Sequence, residues 1–216
     1  MPASPKPDHQ ASLPPLMPST SLDEETARAE LYGLLSALYY APPSAELLAQ
    51  LRVAATQAPA EGGFLEEPWR DVVASSRALD DQRIQSEYNA LFGGVGKPEV
   101  YLFGSHYLSG FLNEKPLARL RSVLDALGLG RVEGMSETED HFAYLCEVMR
   151  YLIAGEDASV SNLTQQMEFF SVQLQPWASK MCAAIEQHPK ADFYKSLARF
   201  TREFMGVEAQ AFDMLG

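Results

Sequence analysis

Apolar residues recur at three- and four-residue intervals along most of the chain, and the phase of that recurrence marks out a series of amphipathic helices. In the first, opened by Ser21 and Glu24 at S-x-x-E spacing, Leu31, Leu34, Leu35 and Leu38 share one face. Pro42-Pro43 stops it just after Tyr40. Ser44 stands where an N-cap belongs, ahead of Leu47, Leu48 and Leu51. A loop holding Gly62-Gly63 follows. Pro68 then takes a first helical position, and Trp69, Val72, Val73, Ser76 and Leu79 form the face behind it. Ile84, Tyr88, Leu91 and Phe92 carry the pattern to Gly93 and a glycine-rich loop. Short helices are expected over 105–111 and 116–127. Others start near Ser161, run through Trp177, Met181 and Ile185 after a break at Pro176, and carry Phe193, Leu197, Phe200 and Phe204. Strand alternation is limited to the fragment Val100-Tyr101-Leu102-Phe103. The pattern predicts an all-α fold with one helical domain over 21–205. A proline-rich disordered tail is expected at 1–20 and a loose end at 206–216.

The segment 136–153 organises the rest. Ser136 and Glu139 have capping-box spacing, Phe142, Leu145, Cys146, Met149, Leu152 and Ile153 give the apolar face, and Gly155 is expected to close the helix in a left-handed conformation. Asp140, Tyr144, Glu147 and Tyr151 fall on a second stripe, with His141 at its border. Carboxylates interleaved with tyrosines suit a partner that is cationic and partly apolar.

Charge strengthens that reading. A net charge of −12 counts against nucleic acid and against an anionic membrane surface, and makes a basic peptide a better partner than a phosphate. No run of about 18 apolar residues is present, so no transmembrane helix is expected. The proline-broken start lacks the apolar core of a secretory signal, which predicts a cytoplasmic protein. Cys146 and Cys182 lie in apolar helical patterns and read as buried thiols.

Chemistry finds little support. Gly93-Gly94-Val95-Gly96-Lys97 resembles a P-loop only loosely: Leu91 stands where its first glycine belongs, and Pro98 replaces the Mg²⁺-binding hydroxyl residue. The spacing of His141, Asp140, Glu137 and Glu147 matches no metal-binding pattern, so neither a metal nor another cofactor is expected. Asp140-His141 could be a base and its orienter; equally, Asp140 could cap backbone N–H groups and His141 could bond a neighbouring loop. The aromatics Tyr88, Phe92, Tyr101, Phe103 and Tyr107 crowd one region. Tyr101, Leu102 and Phe103 cannot all be buried in one direction, which leaves some of them to line a groove.

The succession Tyr88-Asn89-Ala90-Leu91-Phe92, a glycine-rich loop with Pro98, Ser105 and Tyr107, Asp140-His141 with Glu147, Trp177 and Phe193-Tyr194 resembles the TorD/DmsD/NarJ family of molybdoenzyme maturation chaperones. The resemblance spans 21–204. It departs from the family where Thr138 or Glu139 stands for a proline and Gln173 for a histidine. The resemblance implies a non-catalytic, all-α, cytoplasmic protein. Its partners would be the twin-arginine signal peptide, and often the apo form, of a molybdopterin-containing oxidoreductase, whose export it delays until the cofactor is in place. It implies a peptide site of Tyr88, Leu91, Phe92, Ser105, Tyr107, Asp140 and His141. To these the charge argument adds Glu137, Tyr144 and Glu147, with Asp140 and Glu147 the first candidates for pairing with the arginines. Two alternatives stand beside it: an enzyme using Asp140 and His141 as an acid–base pair, and a permanent helical subunit of a redox complex. The chaperone would be a monomer or, through its long helices and connecting loop, a domain-swapped dimer.

Overall fold

The computed structural model describes residues 24–56, 65–93, 97–112, 114–131 and 134–215. The expected tail at 1–20, Ser21, Gly62-Gly63 and the Gly94–Gly96 part of the glycine-rich loop lie outside them. The described elements are α1 (Glu24–Tyr40), α2 (Ala45–Val53), α3 (Glu66–Ala78), α4 (Asp81–Leu91), α5 (Gly104–Ser109), α6 (Lys115–Ala126), α7 (Phe142–Ala154), α8 (Leu163–Phe169), a π-helical turn (Phe170–Leu174), α9 (Gln175–Glu186) and α10 (Phe193–Asp213). Among the described residues β pairing is confined to an isolated antiparallel bridge between Phe103 and His141. No helix among them is long and apolar enough to cross a membrane.

Local signals set several of these boundaries. Ser44 Oγ accepts the Leu47 N–H at 3.1 Å, and Asp80 Oδ1 accepts that of Arg83 at 2.7 Å. That second cap splits the expected continuous pattern into α3 and α4. Pro176 does not break the chain as expected. It lacks an N–H and its ring would strike the carbonyl of residue 172 in α geometry, so the backbone widens into the π turn and continues as α9.

The core forms where α1 lies along α7 and where α10 packs on α3 and α9. Tyr32, Leu35, Leu38, Tyr39, Phe142, Cys146, Met149, Trp177, Tyr194 and Leu197 are almost wholly buried. Cys146 and Cys182 are free and buried, and burial raises the pKa of both, so they act as small apolar side chains.

The end of the chain differs from expectation. It is not loose from Gly206: α10 continues to Asp213, with Glu208 and Phe212 buried. The reason is a polar network that periodicity does not reveal. Arg28 of α1 meets Glu208 with both oxygens, at 2.7 and 2.8 Å, and reaches Gln166 at 3.2 Å. Tyr32 donates to the same Glu208 at 3.0 Å, and the Arg28 guanidinium lies 5.4 Å over the Phe212 ring. Three helices, α1, α8 and α10, are joined through one guanidinium. The other end of α10 is held by Glu87 of α4, whose oxygens accept the N–H groups of Asp192, Phe193 and Tyr194 at 2.8, 3.1 and 2.8 Å.

Glu208→Ala strands Arg28 and Tyr32 in a buried site, and a loss of about 3 kcal/mol is expected. Urea unfolding checks it; a chain ending at Gly206 should lose at least as much, whereas a loose terminus would lose nothing.

Candidate peptide-binding site

The site is built on a clasp between the 102–105 and 138–143 segments. The Phe142 N–H donates to the Leu102 carbonyl at 2.8 Å, and the Gly104 N–H donates to the Asp140 carbonyl at 2.9 Å. Asp140 Oδ2 accepts the Ser105 N–H at 2.8 Å, and Oδ1 accepts the Thr138 hydroxyl at 2.6 Å. Asp140 therefore holds the first turn of α5, not that of α7. Helix α7 begins at Phe142, six residues after the expected cap, and its N-cap is His141, whose Nδ1 accepts the Ala143 N–H at 3.2 Å. Ser136 lies outside the helix, and Glu139 instead forms a two-point ion pair with Arg121 at 3.1 and 2.9 Å. Gly104 lets Trp177 approach: a Cβ there would come within 3.1 Å of the indole. Trp177 in turn packs on Phe142 and stacks on Tyr107.

Asp140 and His141 do not form a base and its orienter. Both Asp140 oxygens and His141 Nδ1 are bonded elsewhere, and the two residues are 3% and 4% exposed. Burial depresses the His141 pKa to about 4 against the opposing charge of Asp140, so the ring is neutral at pH 7 with its proton on Nε2. It packs edge-on to Phe103 and against Tyr144.

Two concavities adjoin here. A small one of about 70 Å³ is lined by Tyr40, Tyr88, Phe92, Pro98, Val100, Leu102, Phe103, Glu137 and His141. It has room for about two water molecules. The larger, about 590 Å³, runs between α1 and α7; Ala29, Gly33, Leu34, Ala37, Leu47 and Ala154 give it apolar walls, and Glu30, Tyr144, Glu147 and Arg150 edge it. Tyr40 belongs to both and packs against Tyr144 at 5.5 Å between ring centres. The Tyr144 hydroxyl is enclosed near Tyr40 and Glu137 without a well-aligned hydrogen bond. Partial burial raises the Glu30 pKa. Neither Glu30 nor Glu137 forms an ion pair with a described residue, whereas Glu147 pairs with Arg150.

The expected site residues therefore fall into three groups. Tyr88, Phe92, Glu137 and His141 meet around the small cavity, and Tyr144 and Glu147 line the neighbouring groove. Leu91, Ser105 and Asp140 are enclosed behind them, at 0%, 1% and 3% exposure. Tyr107 lies apart, bonding the Tyr101 carbonyl at 2.9 Å and stacking on Trp177. Of the loop triplet, Leu102 and Phe103 line the cavity, while Tyr101 stacks on His106. Sequence reasoning missed Tyr40, Glu30, Gly33 and Arg150. Glu30 and Gly33 lie three residues apart in α1, one turn of the helix, and that spacing was the available signal. Among the described residues no group of three or more His, Cys, Asp or Glu is placed to hold a metal.

A model of the family described as nitrate reductase delta subunit matches residues 42–183. The chain is 26% identical over 204 residues to a chaperone protein TorD of Vibrio cholerae, covering 87% of this chain and 93% of that one. It is 25% identical over 174 residues to the chaperone protein YcdY of Escherichia coli, covering 80% and 89%. In fold it is similar to a putative redox enzyme maturation protein of Archaeoglobus fulgidus, with a TM-score of 0.54, 19% identity and coverage of 83% and 94%.

The depressed His141 pKa gives a signed expectation. The unfolded chain binds a proton near pH 6.5 that the folded chain refuses until about pH 4, so this contribution is complete above pH 6.5 and is lost as pH falls towards 4. Its size is on the order of 3 kcal/mol. An NMR titration of His141 should give a midpoint near 4, and His141→Gln should flatten the pH dependence of urea stability across that window.

Proposed function

The chain belongs to the nitrate reductase delta subunit family, and from that premise we propose that it is a cytoplasmic maturation chaperone of a molybdopterin-containing oxidoreductase. It binds the twin-arginine leader of the apoenzyme, and with it the enzyme body, and delays export until the cofactor is in place. Like its named relatives it is a chaperone and not an enzyme. The observation that carries the peptide reading is the α1–α7 groove: apolar walls, tyrosines at one end, and carboxylates along its rim in a chain of net charge −12. A twin-arginine leader combines two guanidinium groups with an apolar segment, and the groove offers a surface to each. Glu137 and Glu147 take the arginines; Tyr40, Phe92 and Tyr144 take the apolar neighbours. Tyr88 and His141 shape the small cavity, Leu91, Ser105 and Asp140 act from behind by fixing the wall, and Tyr107 by bracing α5 on Trp177.

The family's description as a subunit favours one second reading, permanent residence in a redox complex. Co-purification separates the two, because a chaperone leaves the mature enzyme and a subunit stays.

Calorimetry with leaders of candidate molybdoenzymes tests the proposal. A matching leader should bind, and its twin-lysine form should bind about tenfold more weakly, because lysine cannot make the two-point carboxylate contact. Glu137→Gln combined with Glu147→Gln should weaken the twin-arginine leader by about tenfold. No binding by any leader, or no preference for arginine, would overturn it.

A further inference from the structure

We infer that Arg150 occupies, in the free protein, the seat that a client arginine takes in the complex, so the groove binds by exchanging one guanidinium for another. This rests on the peptide-binding reading above and specifies how the same site is regulated.

Four observations carry it. Arg150 leaves α7 and crosses the groove to α1, where it lies against Gly33: a Cβ there would stand 3.0 Å from Arg150 Cδ. The guanidinium pairs with Glu147 through Oε2 alone, from Nε at 2.8 Å and from a terminal nitrogen at 2.7 Å, and Oε1 has no hydrogen-bond partner among the described residues. That is half of the fork that arginine and carboxylate can form. Both side chains are about half exposed, at 51% and 42%, so separating them costs little. Finally, Glu30 faces the same groove and pairs with no cation among the described residues, which leaves two carboxylates served by one arginine.

A guanidinium arriving along the groove can take both oxygens of Glu147, and Arg150 swings out to solvent. Its departure uncovers Gly33, where the missing side chain lets a client backbone approach α1 closely. The second client arginine then goes to Glu137 in the adjoining cavity, and Glu30 adds to the negative rim of the groove. In the free protein the exchange arrangement screens the rim, which disfavours cations that bring no apolar segment to repay displacement of Arg150.

The test uses the full chain, a twin-arginine leader that binds it, and the same leader with both arginines replaced by citrulline. Arg150→Gln should tighten the arginine leader by about threefold, the weight of an exposed ion pair of this spacing, and leave the citrulline leader unchanged. Adding Glu147→Gln should abolish that gain. Independently of any variant, the Arg150 Nε resonance of the wild-type protein should lose its hydrogen-bonded shift when the leader is added. An unchanged or weakened affinity in Arg150→Gln, or an unmoved Nε resonance in a saturated complex, overturns the exchange while leaving peptide binding standing. Absence of binding by every leader overturns both.

Discussion

The site depends on a few hydrogen bonds at one crossing. Helix α7 enters the core with its first backbone N–H groups buried, and such groups need acceptors. The Leu102 carbonyl supplies one and the His141 ring another. In return, the Asp140 carbonyl and carboxylate take the first two N–H groups of α5. Each segment caps the helix that the other begins. The aromatic wall around Phe92, Phe103 and Tyr40 keeps its shape because neither segment can leave without exposing the other's helix start.

That reciprocity explains what was legible in the sequence and what was not. Helix phases were readable because they record burial: Leu47, Leu48 and Leu51, or Phe193, Leu197, Phe200 and Phe204, lie inward as their spacing requires. Ser44 was readable because it caps through its own neighbour. The start of α7 was not, because its acceptor comes from about forty residues earlier, and a local Ser136–Glu139 pattern cannot compete with a tertiary contact. Gly155 shows the same limit. It ends α7 as foreseen, but with φ −70° and ψ 152°, because a Cβ would overlap the Ser161 hydroxyl and the Tyr151 carbonyl. Crowding, not handedness, selects the glycine.

The residues proposed to bind divide along the same line. Resemblance and periodicity found the neighbourhood of Tyr88, Phe92, Glu137, Asp140 and His141. They could not tell which of these face outward, since exposure follows from the clasp. Asp140 has the charge for an arginine and lacks the access; Glu137, in the same segment, has both. The α1 side of the groove carried only a weak signal, because Glu30 and Gly33 look ordinary until α7 is laid against them.

Glu87 is fixed by the chemistry of its partners. Three converging N–H groups of a buried helix start leave no place for a donor, and only a carboxylate offers acceptors on both atoms. An amide in its place would turn an NH₂ towards an N–H, and aspartate would fall short by a methylene. The position thus has a chemical vocabulary of one word. It also ties α4, which carries Tyr88 and leads into Phe92, to the start of α10, so the aromatic wall and the last helix share one anchor.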